Sequence, residues 1–435
     1  MQRKVRFGRG RRRGHSVTAL VLAIVVPLVV AESGTSAAAA GGANGYSVKI
    51  VNDFLLQPYA NVGSSVAIAN DIVVVGADQQ DACHRTTCAT EVGNATVFNA
   101  SSGLPIGYLR APFAGYGVFG ESASVGDGEI VIGTDGETAD GISAAGGAYV
   151  YNATTFARLA TLISPSPADG DVFGFASTIG DGLIVVGAAG ATVGSAIGEG
   201  QAYVYNATSF KHVATLSLPS STGIEGALFG ESVAIGGGEI VVGAPGERPY
   251  GNAYVFGAKS DQFLANLSDP LGVVDTYGEF GFSVAAEKGL IAVGAPGDQS
   301  SCQSVSCPTD GGQVYLFSSK SFDFERNLSS PNAMNEGYFG WSIATAPGIV
   351  VVGAEDEDTP SGAANGGDVY VFASSTGTLI AALKVPDGAT GGNYDSEGFG
   401  WSVSANKNWI AVGAVGGVYR GVACGAAYVY EGKSI

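Results

Sequence analysis

The stretch FGESVAIGGGEIVVGAPG, Phe229 to Gly246, holds two short apolar runs between a Phe-Gly pair and a Gly-Ala pair. Both runs are rich in Val and Ile, which favour strands. The dipeptide between them, Gly237-Gly238, suits a two-residue hairpin with positive φ. A variable loop follows, then a third run of the GAYVF kind, a turn, and a fourth run such as ATLSLP. The same order recurs along the chain. Its anchors are Phe119-Gly120, Phe173-Gly174, Phe229-Gly230, Phe280-Gly281, Phe339-Gly340 and Phe399-Gly400, with Val62-Gly63 as a degenerate first copy. The spacings between anchor glycines are 57, 54, 56, 51, 59 and 60 residues.

Seven copies of four β-rich runs predict an all-β fold, a seven-bladed β-propeller of four-stranded antiparallel blades. One such sheet has two apolar faces and cannot bury both alone; radial stacking buries them and leaves only short edges. An open solenoid is the alternative. The last copy reads SVSA, WIAVGA and AAYVY, and no fourth run follows it. The reading assigns that place to an N-terminal strand around FLLQP, Phe54 to Pro58.

At roughly 150 residues per domain, 435 residues would suggest about three domains, but repeats sharing one core override that prior. Charged residues are 14% of the chain, against a usual value of about 25%. Residues 1–31 hold Arg3, Lys4, Arg6, Arg9 and Arg11-Arg12-Arg13, followed by the apolar run Val17 to Ala31. That order, ending in small residues, predicts a signal peptide over 1–31; an uncleaved anchor is the alternative. A low-complexity linker over 32–45 leads into the propeller, 46–435. Without the first 31 residues, 14 basic face 39 acidic groups, a net of −25. Such a body repels phosphate, which excludes nucleic acid as a partner. The expected location is secreted or at the cell surface, with no membrane span once the signal is removed.

Cysteine usage agrees with export. Cys83 and Cys88, in CHRTTC, and Cys302 and Cys307, in CQSVSC, form two short pairs suited to disulfides in an oxidising compartment. Cys424 reads as a buried thiol beside a strand. Six N-x-S/T sequons, at Asn94, Asn99, Asn152, Asn206, Asn266 and Asn327, are candidate glycan sites, although Asn is also a good turn residue.

With these residues in view, the sequence resembles the FG-GAP repeats of the integrin alpha-subunit propeller, best at Phe229 to Gly246 and Phe280 to Gly297. The resemblance implies the ring, an extracellular setting and a binding role. It also implies that loops 2–3 and 4–1 share one face, while turns 1–2 and 3–4 share the other. Several repeats of that family hold calcium in a loop between strands one and two. Here that connection reads as a two-residue turn in every copy, such as Asn70-Asp71, Asp127-Gly128 and Asp181-Gly182, too short for five or more oxygen ligands. No metal site and no cofactor are carried over.

The loops on the first face are long and acidic. Loop 2–3 offers Asp78, Asp81, Asp135, Glu137, Asp140, Glu247, Asp298 and the run Glu355, Asp356, Glu357 and Asp358; loop 4–1 adds Tyr116, Tyr277, Tyr338 and Tyr394. Variable loops on a rigid scaffold are where binding usually resides. The expected function is therefore non-catalytic recognition or adhesion, or a structural surface role, with an extracellular protein or glycan as partner and a divalent cation as a further candidate. Solvated loops are the plainer account of the same acids. The alternative is a propeller enzyme acting on polysaccharide through paired carboxylates. No Gly-x-Ser-x-Gly elbow or His-based metal motif supports it. His84 and His212 fall in a cysteine loop and a fourth strand, so no catalytic residue is assigned.

Overall fold

The computed structural model describes residues 47–51, 57–84, 87–89, 91–113, 116–138, 141–219, 223–271, 278–299, 309–358, 366–384, 398–419 and 422–432. The signal and linker expectations over 1–45 lie outside them. Seven four-stranded antiparallel sheets make up the body, with two small two-stranded hairpins in loops 2–3. Blade 1 is Val62–Ala69, Ile72–Ala77, Asn94–Asn99 and Pro105–Arg110. Blade 4, the copy quoted first, is Val233–Gly236, Glu239–Ala244, Asn252–Gly257 and Phe263–Leu267. The first strands of successive blades neighbour one another around a closed ring, blade 7 against blade 1 included. Fourth strands form the outer rim, where Leu159, Val213, Leu264 and Leu379 are exposed.

Each core is shared by two blades. One cluster joins Val241 and Val255 of blade 4 to Phe280, Ile291 and Tyr315 of blade 5; another joins Val75 and Phe98 of blade 1 to Trp409 and Val429 of blade 7. The anchor phenylalanines are the wedges. Phe229 is fully buried and meets Tyr254 at 5.8 Å and Phe256 edge-on at 6.1 Å. Truncating such a ring costs about 3–5 kcal/mol.

The two glycine positions of the repeat follow from close approach. Gly281 has φ +94°, and a Cβ there would lie 2.2 Å from Asn252 O of the preceding blade; a Cβ on Gly243 would lie 1.9 Å from Gly281 O. Neither position can carry a side chain while the blades stay this close. The same carbonyl is latched: Ser232 Oγ donates to Gly281 O at 2.8 Å. Ser65, Ser122, Ser283, Ser342 and Ser402 make the equivalent bond to Gly120, Gly174, Gly340, Gly400 and Gly63. In blade 3 that place is Ala176, so the bond to Gly230 O is not made. Each such bond contributes about 1 kcal/mol.

Two expectations are corrected. The N-terminal strand paired with the last blade is Ser47–Val51, antiparallel from Ser47 opposite Glu431 to Val51 opposite Ala427, and not FLLQP. Of that stretch, residues 54–56 lie outside the described residues, and Pro58 sits in a turn, as a residue without an N–H suits. Gln57 instead exchanges hydrogen bonds with Asp81 in loop 2–3 of blade 1. The connection between strands one and two is also not uniform. In blade 7 three residues, 406–408, separate Phe399–Ala405 from Trp409–Ala414, where the other blades have two. Asn406 Oδ1 organises that turn by accepting from Asn408 N and Trp409 N.

Candidate functional site

The two faces are held differently. On one, turns 1–2 and 3–4 bond to each other, as in Ala153 N to Gly128 O at 2.9 Å. Neighbouring turns are also joined there: Gly182 N donates to Asp127 Oδ2 and Gly238 N to Asp181 Oδ2. On the other face, loop 4–1 bonds to loop 2–3 of the preceding blade, as in Phe119 N to Val92 O at 2.9 Å. Loops 2–3 and 4–1 therefore share a face.

The acids of loop 2–3 fall into two sets. The fourth residue after the glycine of the Gly-Ala pair points back into the blade. Its carbonyl accepts from the glycine that opens strand three, as in Gly251 N to Glu247 O and Gly312 N to Asp298 O. Its carboxylate accepts from the strand-three tyrosine. Tyr149 donates to Glu137, at 2.7 Å to either oxygen, and Tyr370 to Glu357 at 2.5 Å; Tyr254 donates to Glu247 and Tyr315 to Asp298. Burial pushes Glu357, which is fully buried, up to about 7. Where the tyrosine is Thr96, the acid is replaced by Gln80. These carboxylates staple their loops.

The second set faces the channel. Asp78, Asp135 and Glu355 stand two residues after the same glycine, and Glu121 and Glu231 stand directly after the anchor glycine, just before the inner strands. Burial first, then the charges of Asp78 and Asp135, push Glu121 up to about 9. Burial, then Glu279 and Asp135, push Glu231 up to about 7. Burial, then Asp78, takes Asp135 to about 6. Burial raises Asp78 against hydrogen bonding from Ser64. Asp78 is 6% exposed, and its Oδ1 has no partner among the described residues. Blade 2 and blade 4 carboxyls feel each other across blade 3, which places them on one axial space.

The rest of that ring is aromatic. The residue after the anchor glycine is Phe282, Trp341 and Trp401 in blades 5, 6 and 7. Phe282 lies 4.5 Å from Trp341, and Trp341 lies 5.1 Å from Trp401 and 6.1 Å from Tyr338. Trp401 is 36% exposed. The position after the anchor glycine is thus acidic on blades 2 and 4 and aromatic on blades 3, 5, 6 and 7, while the position two after the glycine of the Gly-Ala pair is acidic on blades 1, 2 and 6, as Asp78, Asp135 and Glu355. The repeat itself carries the signal for these groups: the third letter of each FGxS reads Ser64, Glu121, Phe175, Glu231, Phe282, Trp341 and Trp401 in turn, once the first copy is aligned.

The remaining expected residues are scattered. Asp81 Oδ1 accepts from Glu91 N at 3.0 Å. The run Glu355 to Asp358 does not converge: Glu357 turns to Tyr370, Glu355 is buried beside Asp356, and the backbone of Asp358 bonds to Met334 and Asn332. Cys83 and Cys88 stand opposite each other in the hairpin Ala82–His84 and Thr87–Ala89. Asp140, Tyr277, Tyr394, Cys302 and Cys307 lie outside the described residues. Cys424 is buried. His212 packs on Tyr205 at 5.6 Å on the outer rim. Among the described residues no group of three or more His, Cys, Asp or Glu is placed to hold a metal ion. No helix among them is long and apolar enough to cross a membrane.

Comparison with curated proteins gives no match. The family model described as FG-GAP repeat matches residues 217–256 and 322–372. The first match runs from the end of blade 3 through strand three of blade 4, and the second from the outer strand of blade 5 through strand three of blade 6. The FG-GAP repeat matches thus centre on blades 4 and 6, and the seven-bladed ring fits a propeller like the N-terminal one of an integrin alpha subunit.

Proposed function

We propose that the chain is a non-catalytic extracellular recognition module whose protein or glycan ligand is met on the loop face, centred on the channel mouth. The observation that carries this reading is the run of neighbouring rings Phe282, Trp341 and Trp401, set in the same ring of positions as Glu121 and Glu231. The carboxyls accept or donate hydrogen bonds, and the rings offer apolar surface. Both are held at or beside strand ends, so they are preorganised and little ordering cost accompanies binding.

A pull-down from extracellular material, with and without chelator, tests the reading. Trp341→Ala with Trp401→Ala should abolish capture while the fold survives. Asp127→Lys with Asp181→Lys on the turn face should leave capture unchanged. Capture lost only through the turn-face pair would overturn the assignment. Capture lost with chelator, together with calcium-dependent heat in calorimetry, would make a divalent cation part of the contact.

A further inference from the structure

We propose that Asn152, Asn206 and Asn266 carry N-linked glycan in the folded protein and that Asn94, Asn99 and Asn327 do not. The inference rests on export, which the N-terminal sequence predicts, and is independent of any ligand at the channel mouth.

Two groups matter in a sequon: the asparagine amide nitrogen that takes the sugar, and the hydroxyl two residues on. At Asn152, Oδ1 accepts from Thr154 N at 3.0 Å, Thr155 N at 2.8 Å and Thr155 Oγ at 3.1 Å. Three donors on one side of the amide fix that side as oxygen. The nitrogen therefore points away, and no described residue accepts from it. Asn206 repeats the arrangement with Thr208 N, Ser209 N and Ser209 Oγ. The sequon hydroxyls of both, on Thr154 and Thr208, belong to exposed residues. Asn266 and its Ser268 are both exposed on the outer side of blade 4.

The asparagine nitrogens of the other three sequons are already donated to neighbouring side chains, Asn94 beside the blade interior and Asn99 and Asn327 nearer the surface. Asn99 Nδ2 donates to Asp71 Oδ2 at 2.6 Å, its Oδ1 accepts from Ser102 N, and its sequon hydroxyl, Ser101 Oγ, donates to Asp71 Oδ1 at 2.6 Å. Asn94 Nδ2 donates to Gln80, and its sequon residue Thr96 is 2% exposed. Asn327 Nδ2 and Ser329 Oγ both donate to Gln313 Oε1 at 3.0 Å. A glycan added there to the emerging chain would have to fit beside these partners, with only one N–H left on the nitrogen, for the blade to close.

The chemistry needs only an oligosaccharide activated on a lipid diphosphate. The amide nitrogen bonds to the anomeric carbon, the carbon–oxygen bond to diphosphate breaks, the diphosphate leaves with the bonding pair, and the nitrogen loses one proton. Asn152 and Asn206 occupy equivalent turns 3–4 of blades 2 and 3, and Asn266 lies on blade 4. The glycans would gather on the turn face and rim of one sector and leave the loop face bare.

The test is site mapping on the full chain expressed in a glycosylating eukaryotic cell, recovered folded from the medium and from the secretory compartment. Enzymatic release of glycan in heavy-oxygen water marks each occupied asparagine for mass spectrometry. Marks at Asn152, Asn206 and Asn266 are expected, with each of N152Q, N206Q and N266Q removing one step in gel mobility. Marks at Asn94, Asn99 or Asn327, or none at the first three, would overturn the proposal. A failed ligand pull-down leaves this result untouched.

Discussion

Glu357 and Glu121 are acids at two different positions of the repeat, and they live in opposite circumstances. Glu357 is fully buried, and Tyr370 donates to it. Glu121 is surrounded by other carboxyls, and no basic group enters the forces that set its pKa. One carboxylate completes a blade; the other is held in an unfavourable field by the blades around it. Acid content alone therefore says little about a binding face. What separates the two sets is whether a strand-three tyrosine of the same blade donates to them.

The largest expected effect comes from breaking the first arrangement. Tyr370→Phe removes the tyrosine donor from the Glu357 carboxyl and leaves it Ser330, which should lower unfolding stability by about 1–3 kcal/mol in a denaturant titration. An unchanged midpoint would mean that the staple is ornamental. The next effect is one of pH. Glu121 has its folded value raised to about 9, above an unfolded value of about 4.3. Between those values the folded state binds the extra proton, so its contribution to stability is full below the lower value and is lost as pH rises to the upper one. Glu121→Gln should therefore flatten the fall in melting temperature between about pH 5 and pH 9. A parallel fall in wild type and variant would place the strain elsewhere. The smallest effect sharpens the contrast. Glu137→Gln keeps an acceptor for Tyr149 and gives up only the charge, so it should cost less than about 1 kcal/mol. A loss equal to that of Tyr149→Phe would show that the staple needs the charge.

The ring was legible because its causes are local. Phe229 wedges, Gly243 and Gly281 permit approach, and both recur every 51 to 60 residues. The closing strand was placed too late, since SVKIV carries no anchor and its partner Ala426–Glu431 lies at the far end of the chain. The channel mouth was harder to read. Glu137 and Tyr149 are 12 residues apart, and their pairing emerges only once strand register is known. Trp341 and Trp401 look like ordinary strand residues until the ring sets them at 5.1 Å.

The alanine at position 176 carries a mechanical meaning. Six joints of the ring are pinned by a serine hydroxyl, and the joint between blades 3 and 4 is not. A closed hoop under load spreads strain over all its joints, and compliance gathers at the weakest. That joint lies between Phe175 and Glu231, so the ring lacks this one tie where an aromatic blade meets an acidic one.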